Sequence, residues 1–288
     1  MRTIFFLFLF YWPLVSFGQS ADSKEFVFHS AFTAFPDTNR IAGHTYQGVV
    51  YPFAEHYQDS SVYVLVPTHF KSALPVNMVF WFHGWFNTID SSISTFELKR
   101  QFLASGKNAI LVIPEGAVKA PDSYGGKLEQ EAVFQKLVND VLQELAHRGM
   151  VSREAGLGNI VLAGHSGAFR VMAHILHHGG VPVQELFLFD GLYGQVKFYD
   201  NWINGGFGRH FVHLYTSSGG GTEDVSKDWM KELQQRDIAF EFVEEDAVTN
   251  QQLLHSPICF IHSRRGHNEI IRQPDWFLRL LINSQILQ

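Results

Sequence analysis

From Val62 onward the chain alternates short runs of β-branched and aromatic residues with longer stretches whose apolar positions recur every three or four residues. The short runs predict strands near 45–51, 61–66, 76–82, 108–113, 159–163, 184–189, 211–216 and 238–244. The longer stretches predict helices near 92–105, 127–147, 167–178, 225–236 and 274–286. Within 127–147, Leu128, Val133, Phe134, Leu137, Val138, Val141, Leu142 and Leu145 fall on one face of a helix, the stripe that a core-covering helix requires. The runs VNMVFWF, AILVI, NIVLA and ELFLF are almost wholly apolar, as strands covered on both faces must be. The alternation predicts an α/β protein: a mostly parallel, eight-stranded sheet flanked by helices on both faces. Ligands on such sheets bind beyond the carboxyl ends of the strands, so candidate chemistry is sought there.

The first eighteen residues stand apart. MRTIFFLFLFYWPLVSFG carries one Arg, then an apolar run, then the small residues Ser16 and Gly18 at signal-peptidase spacing. It reads as a secretory signal peptide cleaved after Gly18, and predicts a secreted or periplasmic protein. The uninterrupted apolar run from Ile4 to Trp12 is far short of the roughly 20 residues of a membrane span, so no stable span is expected after cleavage. Residues 19–288 contain no internal repeat, charge run or low-complexity tract, and read as one domain.

Composition narrows the chemistry. Of 288 residues, 46% are apolar and 17% charged, and the net charge is −6, which argues against disorder and against a nucleic-acid surface. A single cysteine, Cys259, excludes an intramolecular disulfide, thiolate-rich zinc sites and dithiol redox chemistry. Catalysis then falls to Ser, His, Asp and Glu, with no cofactor implied.

The strand NIVLA runs into Gly164-His165-Ser166-Gly167-Ala168 and an apolar helix. A serine between a buried strand and a helix, with small residues two before and two after, sits on a tight turn that lifts its hydroxyl clear of the sheet. The strand VNMVFWF ends in His83-Gly84-Trp85. Such a turn brings the backbone N–H of Trp85 beside that of Gly167, a pair able to stabilise a tetrahedral oxyanion.

A serine nucleophile needs a base, and among fifteen histidines His267 is favoured, lying in RRGHNEI ahead of the closing helix, with His262 and His255 behind it. His174, His177 and His178 share one helix end, where an imidazolium suits the dipole better than a metal suits the spacing, and no metal site is predicted. For the orienting acid, Asp190 directly follows the five apolar residues of ELFLF, whereas Asp224, with Glu223 behind it, lies past the loop after FVHLYT. A carboxylate at the end of a buried strand is hard to explain by turn chemistry, which favours Asp190.

With these motifs in place, residues 45–288 resemble the α/β-hydrolase superfamily, without a large cap domain. The resemblance keeps the family order Ser, Asp, His. It departs at Ala168, where a glycine is usual, and in placing the acid after the sixth strand, as in chlorophyllases and platelet-activating-factor acetylhydrolases. It implies acyl transfer, with Ser166 attacking an ester carbonyl, His267 moving its proton, Asp190 holding the imidazole and the Trp85 and Gly167 amides holding the oxyanion. The expected substrate is a small-molecule or polymer-linked ester. Amide hydrolysis by the same triad, a metal-dependent hydrolase, and a non-catalytic binding protein on this scaffold are the alternatives. Phe86, Tyr193 and Trp202, with Tyr199, are expected to line an aromatic cleft at the mouth.

Overall fold

The computed structural model describes residues 22–218, 220–284 and 286–287; the predicted signal peptide lies outside them. The strands are β1 (Ser23–His29), β2 (His44–Tyr46), β3 (Val49–Tyr51), β4 (Ser61–Pro67), β5 (Val76–Phe82), β6 (Ile110–Pro114), β7 (Leu157–His165), β8 (Glu185–Phe189), β9 (His210–Thr216), β10 (Glu241–Glu244) and β11 (Ile258–Ser263). The helices are α1 (Phe53–His56), α2 (Ile89–Thr95), α3 (Leu98–Ala104), α4 (Val133–His147), α5 (Phe169–His178), α6 (Val196–Asn204), α7 (Thr222–Gln235), α8 (Asn250–His255) and α9 (Trp276–Ile282).

Nine strands form one sheet in the order β1-β4-β6-β5-β7-β8-β9-β11-β10. The β1–β4 and β4–β6 pairs are antiparallel and all the others parallel. Two strands join the predicted set, β1 and β11, while the predicted 45–51 strand folds away as the separate β2–β3 hairpin. β1 alternates half-buried Phe26 and Phe28 with exposed Lys24, Glu25, Val27 and His29, as an edge strand does.

Along the central strands successive side chains enter opposite covered faces. Met78, Phe80 and Phe82 pack on one side with helices α4 and α5, whereas Val79 and Trp81 pack on the other with α3 and α9. Both predicted long helices begin or break where the backbone turns left-handed: Glu97 (φ 51°) separates α2 from α3, and Ala132 (φ 57°) precedes α4. Among the described residues no helix is long and apolar enough to cross a membrane. The parallel registers of β5, β7, β8, β9 and β11 bring their carboxyl ends to one edge, and the candidate residues follow those ends.

Candidate active site

Ser166 follows β7 directly and has φ 54°, a left-handed conformation rare for a residue with a side chain. The turn closes because its neighbours are small. A Cβ built on Gly164 would lie 2.9 Å from the Cβ of Ala168 and 2.4 Å from Met172 Sδ. Position 164 therefore excludes any side chain, and Ala168 itself is accommodated. Gly84 abuts the same turn: a Cβ there would lie 2.8 Å from Ser166 Cβ and 3.2 Å from the Gly167 nitrogen. The His83-Gly84-Trp85 segment thus runs beside the serine and the Gly167 amide, and the Trp85 indole lies against Gly167 with Nε1 donating to Ser123 Oγ at 2.7 Å.

Asp190 follows β8 directly, is wholly buried and has φ 41°. Four donors converge on its carboxylate. Thr216 N–H (3.0 Å) and the Thr222 hydroxyl (2.6 Å) donate to Oδ1, while the Thr216 hydroxyl (2.7 Å) and His267 Nδ1 (2.6 Å) donate to Oδ2. Burial alone raises the carboxyl pKa, but the hydrogen bonds from His267, Thr222 and Thr216 outweigh it and hold the group below the ordinary carboxylate range. With Nδ1 engaged, Nε2 of His267 has no hydrogen-bond partner among the described residues. His267 lines the same cavity as Ser166. Among the described residues no hydrogen bond joins the two side chains; Tyr193 is the hydroxyl's neighbour, and burial with the Asp190 charge pushes its phenol up to about 12.

His165 supports the loop that carries His267. Its ring lies 4.4 Å from the His267 ring, and its Nε2 donates to the His267 carbonyl at 3.0 Å. Burial, helped by the neighbouring His267, lowers its pKa to about 3 and keeps it neutral.

The other candidates lie elsewhere. His262 bonds to Ser217 and Glu244, and His255 ends α8. Glu223 pairs with Lys227 in the first turn of α7, where Asp224 is exposed. His177 stacks on Phe198, and His178 reaches the Glu129 carbonyl at 2.6 Å.

Two cavities meet at Ser166. One, of about 450 Å³, is walled by Tyr46, Trp85, Phe169 and Tyr193; the other, of about 500 Å³, adds Phe86, Asn87, Phe96, His267 and Asn268. Phe86 stands at the rim, 54% exposed. Tyr46 comes from the β2–β3 hairpin and sets its ring edge-on to Trp85 at 5.1 Å. Sequence alone does not place it there, because the 45–51 run predicts a strand of the main sheet and not a separate hairpin. Glu115, whose carboxylate lies 2.6 Å from His83 Nε2, is likewise outside the predicted set.

Trp202 and Tyr199 are corrections. Both sit on the inner face of α6, 5% and 0% exposed, with Trp202 Nε1 donating to the Val183 carbonyl at 3.2 Å. Neither reaches the cavities. Trp202→Ala should therefore cost about 3–5 kcal/mol in chemical unfolding while leaving KM unchanged for every ester tested; a selective rise in KM for aryl esters would return the residue to the mouth.

No protein-family model matches the sequence, and no curated protein matches it. Among solved structures the chain is similar to a ferulic acid esterase, at 11% identity over 91% of this chain and 99% of that one, with a TM-score of 0.54. It is similar also to an S-formylglutathione hydrolase from Agrobacterium tumefaciens, at 11% identity over 94% of this chain and 99% of that one, with a TM-score of 0.49. At 11% identity the likeness to the first is one of fold.

Proposed function

From the α/β-hydrolase fold that the chain adopts, we propose that this protein is a serine hydrolase of carboxylic esters, with Ser166 as nucleophile, His267 as general base and acid, Asp190 as its orienting acid, and the Trp85 and Gly167 amides as oxyanion donors. The observation that carries the reading is the 2.6 Å bond from His267 Nδ1 to a buried Asp190, at the strand ends beside a serine held at φ 54°.

The chemistry follows from that bond. Asp190 keeps the proton on Nδ1, so the Nε2 lone pair can take the Ser166 proton as Oγ attacks the carbonyl carbon. Negative charge builds on the carbonyl oxygen between two N–H groups that need not reorganise. The imidazolium then gives its proton to the departing alkoxide, and water repeats the cycle on the acyl-enzyme.

Because His267 must reach the leaving oxygen, the cavity that His267 lines is the place for the alcohol. The cavity walled by Tyr46, Trp85, Phe169 and Tyr193 is left for the acyl group, and its rings suit a flat aryl or short acyl chain. The alcohol side gives onto solvent past Phe86, which leaves room for a small-molecule or polymer-linked ester. Residues 1–18 are proposed to direct export.

Purified protein should turn over short-chain p-nitrophenyl esters faster than the matching amides. A fluorophosphonate probe should attach to the peptide containing Ser166. A folded protein that neither hydrolyses any ester nor takes the probe would contradict this function.

A further inference from the structure

We propose that His83 and Glu115 form a positioning pair for the oxyanion donor Trp85: together they fix the plane of the peptide joining Gly84 to Trp85. The inference rests on the serine-hydrolase reading above and concerns residues that touch neither substrate nor nucleophile.

His83 Nδ1 donates to the Gly84 carbonyl oxygen at 2.9 Å, and Nε2 meets Glu115 Oε1 at 2.6 Å. The two side chains are 3% and 5% exposed. The carboxylate is itself fixed, since Oε2 accepts from the Ile89 amide at 3.1 Å and Oε1 from the Gly116 amide at 3.2 Å. The carbonyl that His83 holds belongs to the same rigid peptide unit as the Trp85 N–H. Carbonyl and N–H point in opposite directions across a trans peptide, so pinning the oxygen aims the N–H.

Nδ1 faces the Gly84 carbonyl and Nε2 faces Glu115 Oε1, with the Gly116 N–H shared between Nε2 (3.1 Å) and Oε1 (3.2 Å); an imidazole satisfies both oxygen acceptors only when it carries both protons, which leaves the Gly116 N–H to the carboxylate. Burial pulls the His83 pKa down, but the hydrogen bond and charge of Glu115 outweigh burial and leave it raised. The charged ring makes a stronger bond to the Gly84 carbonyl than a neutral ring would.

Two isosteric substitutions separate the roles. An asparagine amide nitrogen occupies the place of Nδ1, and a glutamine amide nitrogen the place of Nε2. His83→Gln keeps the Glu115 contact and loses the Gly84 contact; His83→Asn does the reverse. With p-nitrophenyl acetate, His83→Gln should lower kcat about 30- to 100-fold, somewhat less than deletion of an oxyanion donor, with KM moving less than about threefold. Affinity for phenylboronic acid, which adds to serine as a tetrahedral anion, should fall in parallel, and His83→Asn should recover the rate to within about fivefold of the wild type. Glu115→Gln, the mildest change, should lower kcat about 3- to 10-fold because a neutral ring bonds the carbonyl more weakly.

Equal losses of thermal stability in both His83 variants, with kcat per folded molecule and boronate affinity unchanged, would overturn the proposal. If the His83 variants do not fold, an unchanged kcat and boronate affinity in Glu115→Gln does the same. A wild type that neither turns over the ester nor binds the boronate would overturn the serine-hydrolase reading instead.

Discussion

Ser166→Ala is expected to lower kcat for a p-nitrophenyl ester by roughly 10⁵- to 10⁶-fold, close to the loss of the whole catalytic unit, because the remaining residues act only through the nucleophile. The residual rate above water would then come from substrate binding and the proposed oxyanion amides. The fold should survive. Alanine keeps the Cβ that packs against Gly84, and the backbone strain at φ 54° is the same for serine and alanine. A change in unfolding free energy within about 1 kcal/mol is expected, so lost turnover cannot be mistaken for lost structure. Fluorophosphonate labelling should vanish with turnover. Labelling that persists would move the nucleophile to another hydroxyl of the same cavity, such as Ser123, which accepts from the Trp85 indole, or Tyr193.

How far such a site can be read from sequence depends on which signals are local. Ser166, Asp190 and the His83-Gly84-Trp85 turn each follow an apolar run, and continuous runs mark buried parallel strands whose ends must share an edge. The strand β11 was hidden because ICFIHS is short and half-polar at its end, although it sets the start of the loop bearing His267. Glu115 was legible by the rule that singles out Asp190, since it follows the five buried residues Ile110–Pro114. Trp202 shows the limit. Aromatic composition near a strand end does not say whether a ring points out or in; that needs the phase of α6, in which Tyr199, Trp202 and Ile203 share the buried face. Tyr46 depended on a hairpin placing its ring against Trp85, a long-range contact with no local signature beyond the turn at Gln47-Gly48.

Asp190→Asn should cost roughly 10⁴-fold in kcat, with a much smaller change in KM. The four donors around the carboxylate decide which way an amide must sit. Its nitrogen can replace Oδ1, where it would oppose the fixed Thr216 backbone N–H, or Oδ2, where it would oppose the Thr216 hydroxyl and His267 Nδ1. A backbone N–H cannot turn away, whereas a hydroxyl can rotate and an imidazole can change tautomer, so the nitrogen settles on the Oδ2 side. There it donates to Nδ1 and drives the ring proton to Nε2, leaving no lone pair to take the Ser166 proton. The same substitution alters acid stability. A carboxyl held below its ordinary pKa stabilises the fold fully above the unfolded value, about 3.9, and loses that contribution as pH falls through the lower folded value. The stability gap between wild type and Asp190→Asn should therefore be constant near neutral pH and narrow below about pH 4, measured by denaturant unfolding across that range. A variant that keeps kcat within tenfold of the wild type would require another carboxylate to orient His267, which Asp224, exposed in the first turn of α7, could supply only if that turn moved.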